Sequence, residues 1–155
     1  PKLLERAGPG AGNGTITGLF TVLVDGDDHN EPVADAVRSI LDGHIVLDRS
    51  IAERNRYPAI NILRSISRTM PDCDTDEEAA LVAQARKYIA SYEDMAELIR
   101  LGAYKKGSNR EVDEAIFYYP MLEEFLSQGK QEKFSLAQCY ELLAAILATP
   151  YVPEE

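Results

Sequence analysis

The chain has 155 residues, of which 45% are hydrophobic and 27% charged; this supports a buried core under a soluble surface and excludes a disordered chain. Its net charge of −10 is uneven, with eight Lys and Arg against ten Asp and Glu up to residue 72, and eight against sixteen from residue 73 onward. The acidic second half excludes a phosphate-tracking nucleic-acid surface and suits a basic protein partner.

No apolar run reaches the roughly 18 residues that cross a bilayer. The first residues, Pro1-Lys2-Leu3-Leu4-Glu5-Arg6, hold no signal-peptide apolar stretch. Lys2 to Ala7 reads as the end of a helix begun upstream, which makes Pro1 an arbitrary start. Gly8 to Gly14 is a loop. Thr15 to Val24 is rich in β-branched and aromatic residues and predicts a buried strand of a parallel sheet. Asp25 to Asn30 is an acidic turn, and Glu31 to Leu41 a helix with Pro32 tolerated in its first turn. A short strand follows at His44–Leu47, then a short helix at Arg49–Arg54. Tyr57-Pro58 breaks the chain, and Ile60 to Ser67 leads to a second break at Pro71.

The composition changes near Met70-Pro71-Asp72-Cys73-Asp74, so a boundary is expected between 1–72 and 73–155. Beyond it the periodicity is helical. Asp74-Thr75-Asp76-Glu77-Glu78 is a helix N-terminus, with Asp74 or Thr75 as cap. Five helices are predicted: around Leu81–Ile89, Met95–Leu101, Val112–Tyr119, Leu122–Leu126 after Pro120, and Leu136–Leu147. They make a small antiparallel bundle.

Several motifs fail. Gly8, Gly10, Gly12 and Gly14 follow a helix and precede a strand, the reverse of a phosphate loop, and no Gly-Lys-Ser/Thr follows. His29 and His44 have no partner at metal-ligand spacing, and Asp25, Asp27 and Asp28 lack a calcium-loop spacing, so no metal site is expected. Cys73 and Cys139 read as two reduced thiols of a cytosolic protein. No catalytic constellation is visible.

Three stretches carry a resemblance: residues 14–53 (GTITGLFTVLVDGDDHNEPVADAVRSILDGHIVLDRSIAE), residues 57–71 (YPAINILRSISRTMP) and residues 98–116 (LIRLGAYKKGSNREVDEAI). Together they resemble the C-terminal half of the hexameric flagellar and type III protein-export ATPases, relatives of the catalytic subunits of rotary F-type and V-type ATPases. The Leu-Ile-Arg-Leu-Gly-Ala-Tyr block favours the flagellar branch. The resemblance implies an α/β then all-α chain: residues 1–72 as the distal part of a RecA-like P-loop nucleotide-binding domain with parallel-sheet strands, and 73–155 as a C-terminal helical domain. The family's β-barrel, phosphate loop, catalytic glutamate and Mg²⁺-supporting strand would then lie upstream of Pro1.

The resemblance also assigns roles. Arg68, in Ser65-Ile66-Ser67-Arg68, matches the arginine finger, acting in trans on a neighbouring subunit's nucleotide; by residue type alone it reads as a surface ion pair. Tyr57 and Pro58 match an adenine-stacking turn, and Tyr92 is a candidate for the other side of the adenine, out of strict register with the rotary subunits. Asp27, Asp28 and Glu31 match a turn that faces the central shaft, where solvated carboxylates would meet a coiled-coil partner. Implied for the parent are ATP and Mg²⁺, with none bound to the fragment. Implied partners are neighbouring subunits of a homohexamer, a coiled-coil stalk-like export protein, a regulator, chaperones and a membrane export gate, with no nucleic acid. The implied location is cytoplasmic and peripheral at the inner membrane. The fragment alone is expected to be inactive. Alternatives are a virulence type III secretion ATPase, a nucleotide-independent module binding chaperones or gate proteins, and a non-catalytic rotary subunit.

Overall fold

The computed structural model describes residues 4–24 and 32–153. The chain divides into two units, which are described separately.

The first unit holds residues 4–24 and 32–44 together with Ile66–Thr69. Leu4–Arg6 form a single 3₁₀ turn within the expected Lys2–Ala7 helix end, the start of which lies outside the described residues. The glycine-rich stretch is a small hairpin. β1 (Gly8–Pro9) pairs antiparallel with β2 (Thr15–Ile16), and the Gly10 N–H donates to the Gly14 carbonyl at 2.8 Å. The long buried strand expected over Thr15–Val24 does not form in the described chain. Pairing stops at Ile16, and Leu19 and Leu23 stand 93% and 91% exposed. A strand is held by its neighbours, and this one has only a two-residue partner along one edge.

α1 (Pro32–Ile40) begins with proline at its first position, where no N–H is needed. The chain then enters β3 (Gly43–Leu47). Glycine is required at position 43, because a Cβ there would lie 2.5 Å from the Ile66 carbonyl oxygen.

The second unit comprises Ile45–Ser65 and the chain from Met70 onward. Here the rest of β3 runs beside β4 (Ile60–Ser67). Asp48 N–H donates to the Ala59 carbonyl at 2.9 Å and Val46 N–H to Ser65 Oγ at 3.0 Å, so the two segments run in opposite directions. The described strand pairs are therefore antiparallel where parallel ones were expected. A short helix, α2 (Arg49–Glu53), joins them. Asp48 caps it, its carboxylate accepting from Ser50 N–H, Ser50 Oγ and Asn61 Nδ2. The Ser50 and Asn61 bonds hold that carboxyl below the ordinary carboxylate range.

After a single turn, α3 (Met70–Cys73), come three long helices: α4 (Asp76–Arg100), α5 (Arg110–Phe125) and α6 (Leu136–Leu147). Of the two candidate caps for α4, Thr75 is used. Its Oγ1 accepts from Glu78 N–H at 3.2 Å, and Glu78 returns a carboxylate to Thr75 N–H at 2.8 Å. Asp74 accepts from the Tyr140 hydroxyl at 2.9 Å, tying the chain just before α4 to α6. Burial and the neighbouring Asp74 carboxylate push that hydroxyl's pKa up to about 12.

Five predicted helices are thus three. Ile89 and Met95 lie on one continuous helix, and α5 runs through Pro120. Proline inside a helix costs roughly 3 kcal/mol or more. Packing on both sides offsets this: Tyr118 and Leu122 are 6% and 1% exposed. They join Ala85, Tyr88, Ile89, Ala115 and Leu143 in the core. The Tyr88 and Tyr118 rings stack at 4.6 Å, and the Tyr118 hydroxyl donates to the Thr149 carbonyl at 2.7 Å. Arg86 anchors α4 to β4 by donating to the carbonyls of Ile62 and Leu63. Among the described residues, no helix is long and apolar enough to cross a membrane. Cys73 is exposed and Cys139 half-buried, with no disulfide between them.

Candidate functional site

The turn between α2 and β4 is built around two side chains pointing opposite ways. α2 ends as Asn55 takes a φ of 62°, a left-handed value that asparagine tolerates better than most residues. Arg56 then goes inward, 8% exposed, and Tyr57 outward, 54% exposed. Arg56 Nη2 donates to the Ile60 carbonyl at 3.0 Å. Its Nε lies 3.3 Å from Glu123 Oε2 on α5, an ion pair by distance but not an aligned hydrogen bond. The Tyr57 carbonyl accepts from Gln128 N–H, just past α5, at 2.7 Å. The Tyr57–Pro58 peptide is cis.

Tyr92 lies on α4, half-buried, with its ring stacked on Tyr119 at 3.7 Å and 12°. The structure brings Tyr92 to Tyr119; no ring contact joins it to Tyr57 among the described residues. Burial pushes the Tyr119 hydroxyl up to about 12, helped by the Glu123 carboxylate. Next to Tyr92, burial also raises the Glu93 carboxyl above the ordinary range, against the pull of Arg54.

Arg68 belongs to the other unit, immediately after β4. Its backbone is fixed by a 2.7 Å bond from its N–H to the Asp42 carbonyl, and its Nη2 donates to the Arg38 carbonyl at 3.3 Å. The side chain is exposed and, among the described residues, no carboxylate neutralises it. A guanidinium has five N–H donors; most of Arg68's remain available to an anion. Asp27, Asp28 and Glu31 lie outside the described residues. Among the described residues, no three His, Cys, Asp or Glu side chains gather as a cation site.

The described chain thus carries a backbone-fixed surface arginine at a strand end, followed in sequence by a capped helical bundle. Comparison with known proteins gives the class: the end of a nucleotide-binding domain and a helical C-terminal domain. Residues 1–67 match the ATP synthase alpha/beta family nucleotide-binding domain, and residues 75–145 match the C-terminal domain of the type III secretion EscN ATPase. The flagellum-specific ATP synthase of Caulobacter vibrioides is 57% identical over 97% of this chain, covering 35% of that protein. The assembled EscN ATPase of enteropathogenic E. coli superposes with a TM-score of 0.89 at 44% identity, over 95% of this chain and 35% of its own. The same ATPase in complex with its central stalk EscO gives a TM-score of 0.84 at 42% identity, over 96% of this chain and 35% of its own. The chain thus spans about a third of the length of the relatives it matches. It belongs to the flagellar and type III secretion branch of the ATP synthase alpha/beta family.

Arg56 and Glu123 are absent from the sequence reading. The pair joins residues far apart in the chain, and nothing in an Arg-x-Arg-Tyr-Pro turn marks one arginine as buried. Pro58, which fixes the chain direction after Tyr57, is the nearest sequence signal.

Proposed function

We propose that the protein to which this chain contributes is a flagellar protein-export ATPase, working as a ring of identical subunits at the cytoplasmic face of the inner membrane. The observation that carries the reading is Arg68: an exposed guanidinium, fixed through its own backbone, with no carboxylate against it among the described residues. Such a group suits a phosphoryl transition state, whose charge spreads over the transferred oxygens and is best met by a planar fork. Supplied to a neighbouring subunit's nucleotide, it makes hydrolysis depend on assembly. Tyr57 offers a half-exposed ring for stacking on adenine, set by Pro58. Tyr92, backed by Tyr119, offers a second aromatic wall. The proposed ligands are ATP and Mg²⁺.

The test is ATPase rate against protein concentration. The full-length protein is expected to turn over Mg²⁺-ATP more steeply than linearly as rings assemble, and the isolated 155-residue chain not at all. Turnover by the purified chain that survives further purification would overturn this assignment.

For Asp27, Asp28 and Glu31 we propose contact with a coiled-coil stalk-like protein, a reading supported by the EscN ATPase being found in complex with its central stalk EscO; a regulator, chaperones and an export gate complete the proposed partner set. Changing the three to Asn, Asn and Gln removes charge and keeps shape. Basal ATPase is expected to stay within about 3-fold, while stimulation by the stalk protein falls as it does in added salt, which screens exposed pairs over roughly 10 Å at 0.1 M. Full stimulation of the triple variant at low salt would leave the turn a solvated connection.

A further inference from the structure

From its geometry we infer that the Arg56–Glu123 pair is a positioning device: it lets the end of α5 set the placement of Tyr57, and through it the affinity for the adenine of ATP. This inference rests on the proposed stacking role of Tyr57.

Arg56 precedes Tyr57 directly and is 8% exposed, so its direction fixes which way the tyrosine leaves the turn. Two contacts fix Arg56: the Ile60 carbonyl at 3.0 Å, on the far side of the same turn, and Glu123 at 3.3 Å on α5. The first closes the turn on itself. The second reaches into the helical bundle and sets a carboxylate beside a buried guanidinium, a counter-charge without an aligned hydrogen bond. One turn beyond Glu123, Gln128 N–H holds the Tyr57 carbonyl at 2.7 Å. The loop carrying Gln128 is closed by its own bonds, Gln128 Nε2 to the Glu132 carbonyl at 3.0 Å and Gly129 N–H to the Glu132 carboxylate at 2.7 Å. The Tyr57 turn is therefore gripped at two successive residues by the end of α5 and the loop that follows it. Its ring, 54% exposed, is left to meet a ligand. A displacement of that helix end by a bound partner changes the aromatic's position without any contact to the nucleotide.

The Arg56–Glu123 distance, without hydrogen-bond alignment at Nε, fits a contact that can be made and released. A group that only held the bundle together would affect stability and leave the nucleotide affinity of folded rings untouched.

The test uses the full-length ATPase and the KM and kcat for ATP of Glu123→Gln, Tyr57→Ala and the double variant. Glu123→Gln is expected to raise KM about 10-fold with kcat within about 2-fold, the scale of losing one charge-assisted contact. Tyr57→Ala is expected to raise KM by at least as much. In that background Glu123→Gln is expected to add nothing, because it acts through the missing ring. If Tyr57→Ala raises KM and Glu123→Gln does not, or if the two effects multiply, the positioning role is wrong and the stacking role stands. If Tyr57→Ala leaves KM unchanged, the stacking role fails and takes this inference with it. Should Glu123→Gln not assemble, Arg56→Lys, which keeps the buried charge and loses the fork, carries the same comparison.

Discussion

If the full-length protein is the proposed ATPase, Arg68→Ala in it is expected to lower kcat by roughly 10³-fold or more while ATP binding changes little. In the proposed role the contact would strengthen only as charge develops on the transferred phosphoryl oxygens, so its loss would fall on the transition state and not on the bound ground state. The structure adds two reasons for a clean result. The residue is exposed and, among the described residues, its side chain bonds one backbone carbonyl, so truncation leaves no buried group there unpaired. Its backbone bond to Asp42 survives any substitution except proline. Arg68→Lys is expected to fail nearly as badly, because a point charge cannot span two oxygens. The check is steady-state ATPase beside nucleotide binding on the same ring preparation. Near-normal turnover of the alanine variant would return Arg68 to an ordinary surface cation.

The second large effect is on stability. Leu122→Ala is expected to cost about 3 kcal/mol, within the range for a fully buried leucine. Leu122 is 1% exposed and shares its core with Ala115, Tyr118 and Leu143. It also follows Pro120 on α5, where the helix lacks one backbone bond and depends on packing. The vacated volume sits where the helix is least able to hold itself. The measurable consequence for a chain of this size is a melting temperature lower by roughly 10 °C. Leu136→Ala, 72% exposed on α6, is the control and should shift it little. Equal melting of the two variants would mean that the core does not lie where the structure puts it.

Helix starts were legible because caps are local chemistry. Thr75 and Glu78 are three residues apart and satisfy each other's backbone, whatever the rest of the chain does. Helix ends inside the bundle were not legible. Ser91 and Asp94 weaken helix propensity, and Pro120 forbids one bond, so the pattern reads as breaks. Burial of Tyr88, Ile89, Tyr118 and Leu122 on a shared core overrides them. Thr15–Val24 failed in the other direction: its composition asks for a buried strand, but a strand needs neighbours, and only Thr15–Ile16 have one here. At the site, Arg68 and Tyr57 came from motif resemblance. The Arg56–Glu123 grip was invisible because it depends on which of several charged residues the folded chain buries together.

The most direct measurement is ATPase activity of mixed rings. Full-length Arg68→Ala protein is combined with full-length protein whose phosphate-binding loop has been disabled, each inactive alone. An arginine acting across the subunit boundary leaves some interfaces with an intact loop from one subunit and an intact Arg68 from the other. Mixing is therefore expected to restore a measurable fraction of activity, dependent on the ratio of the two proteins. Activity no higher than the sum of the separate preparations, in rings shown to contain both, would contradict a role for Arg68 in trans.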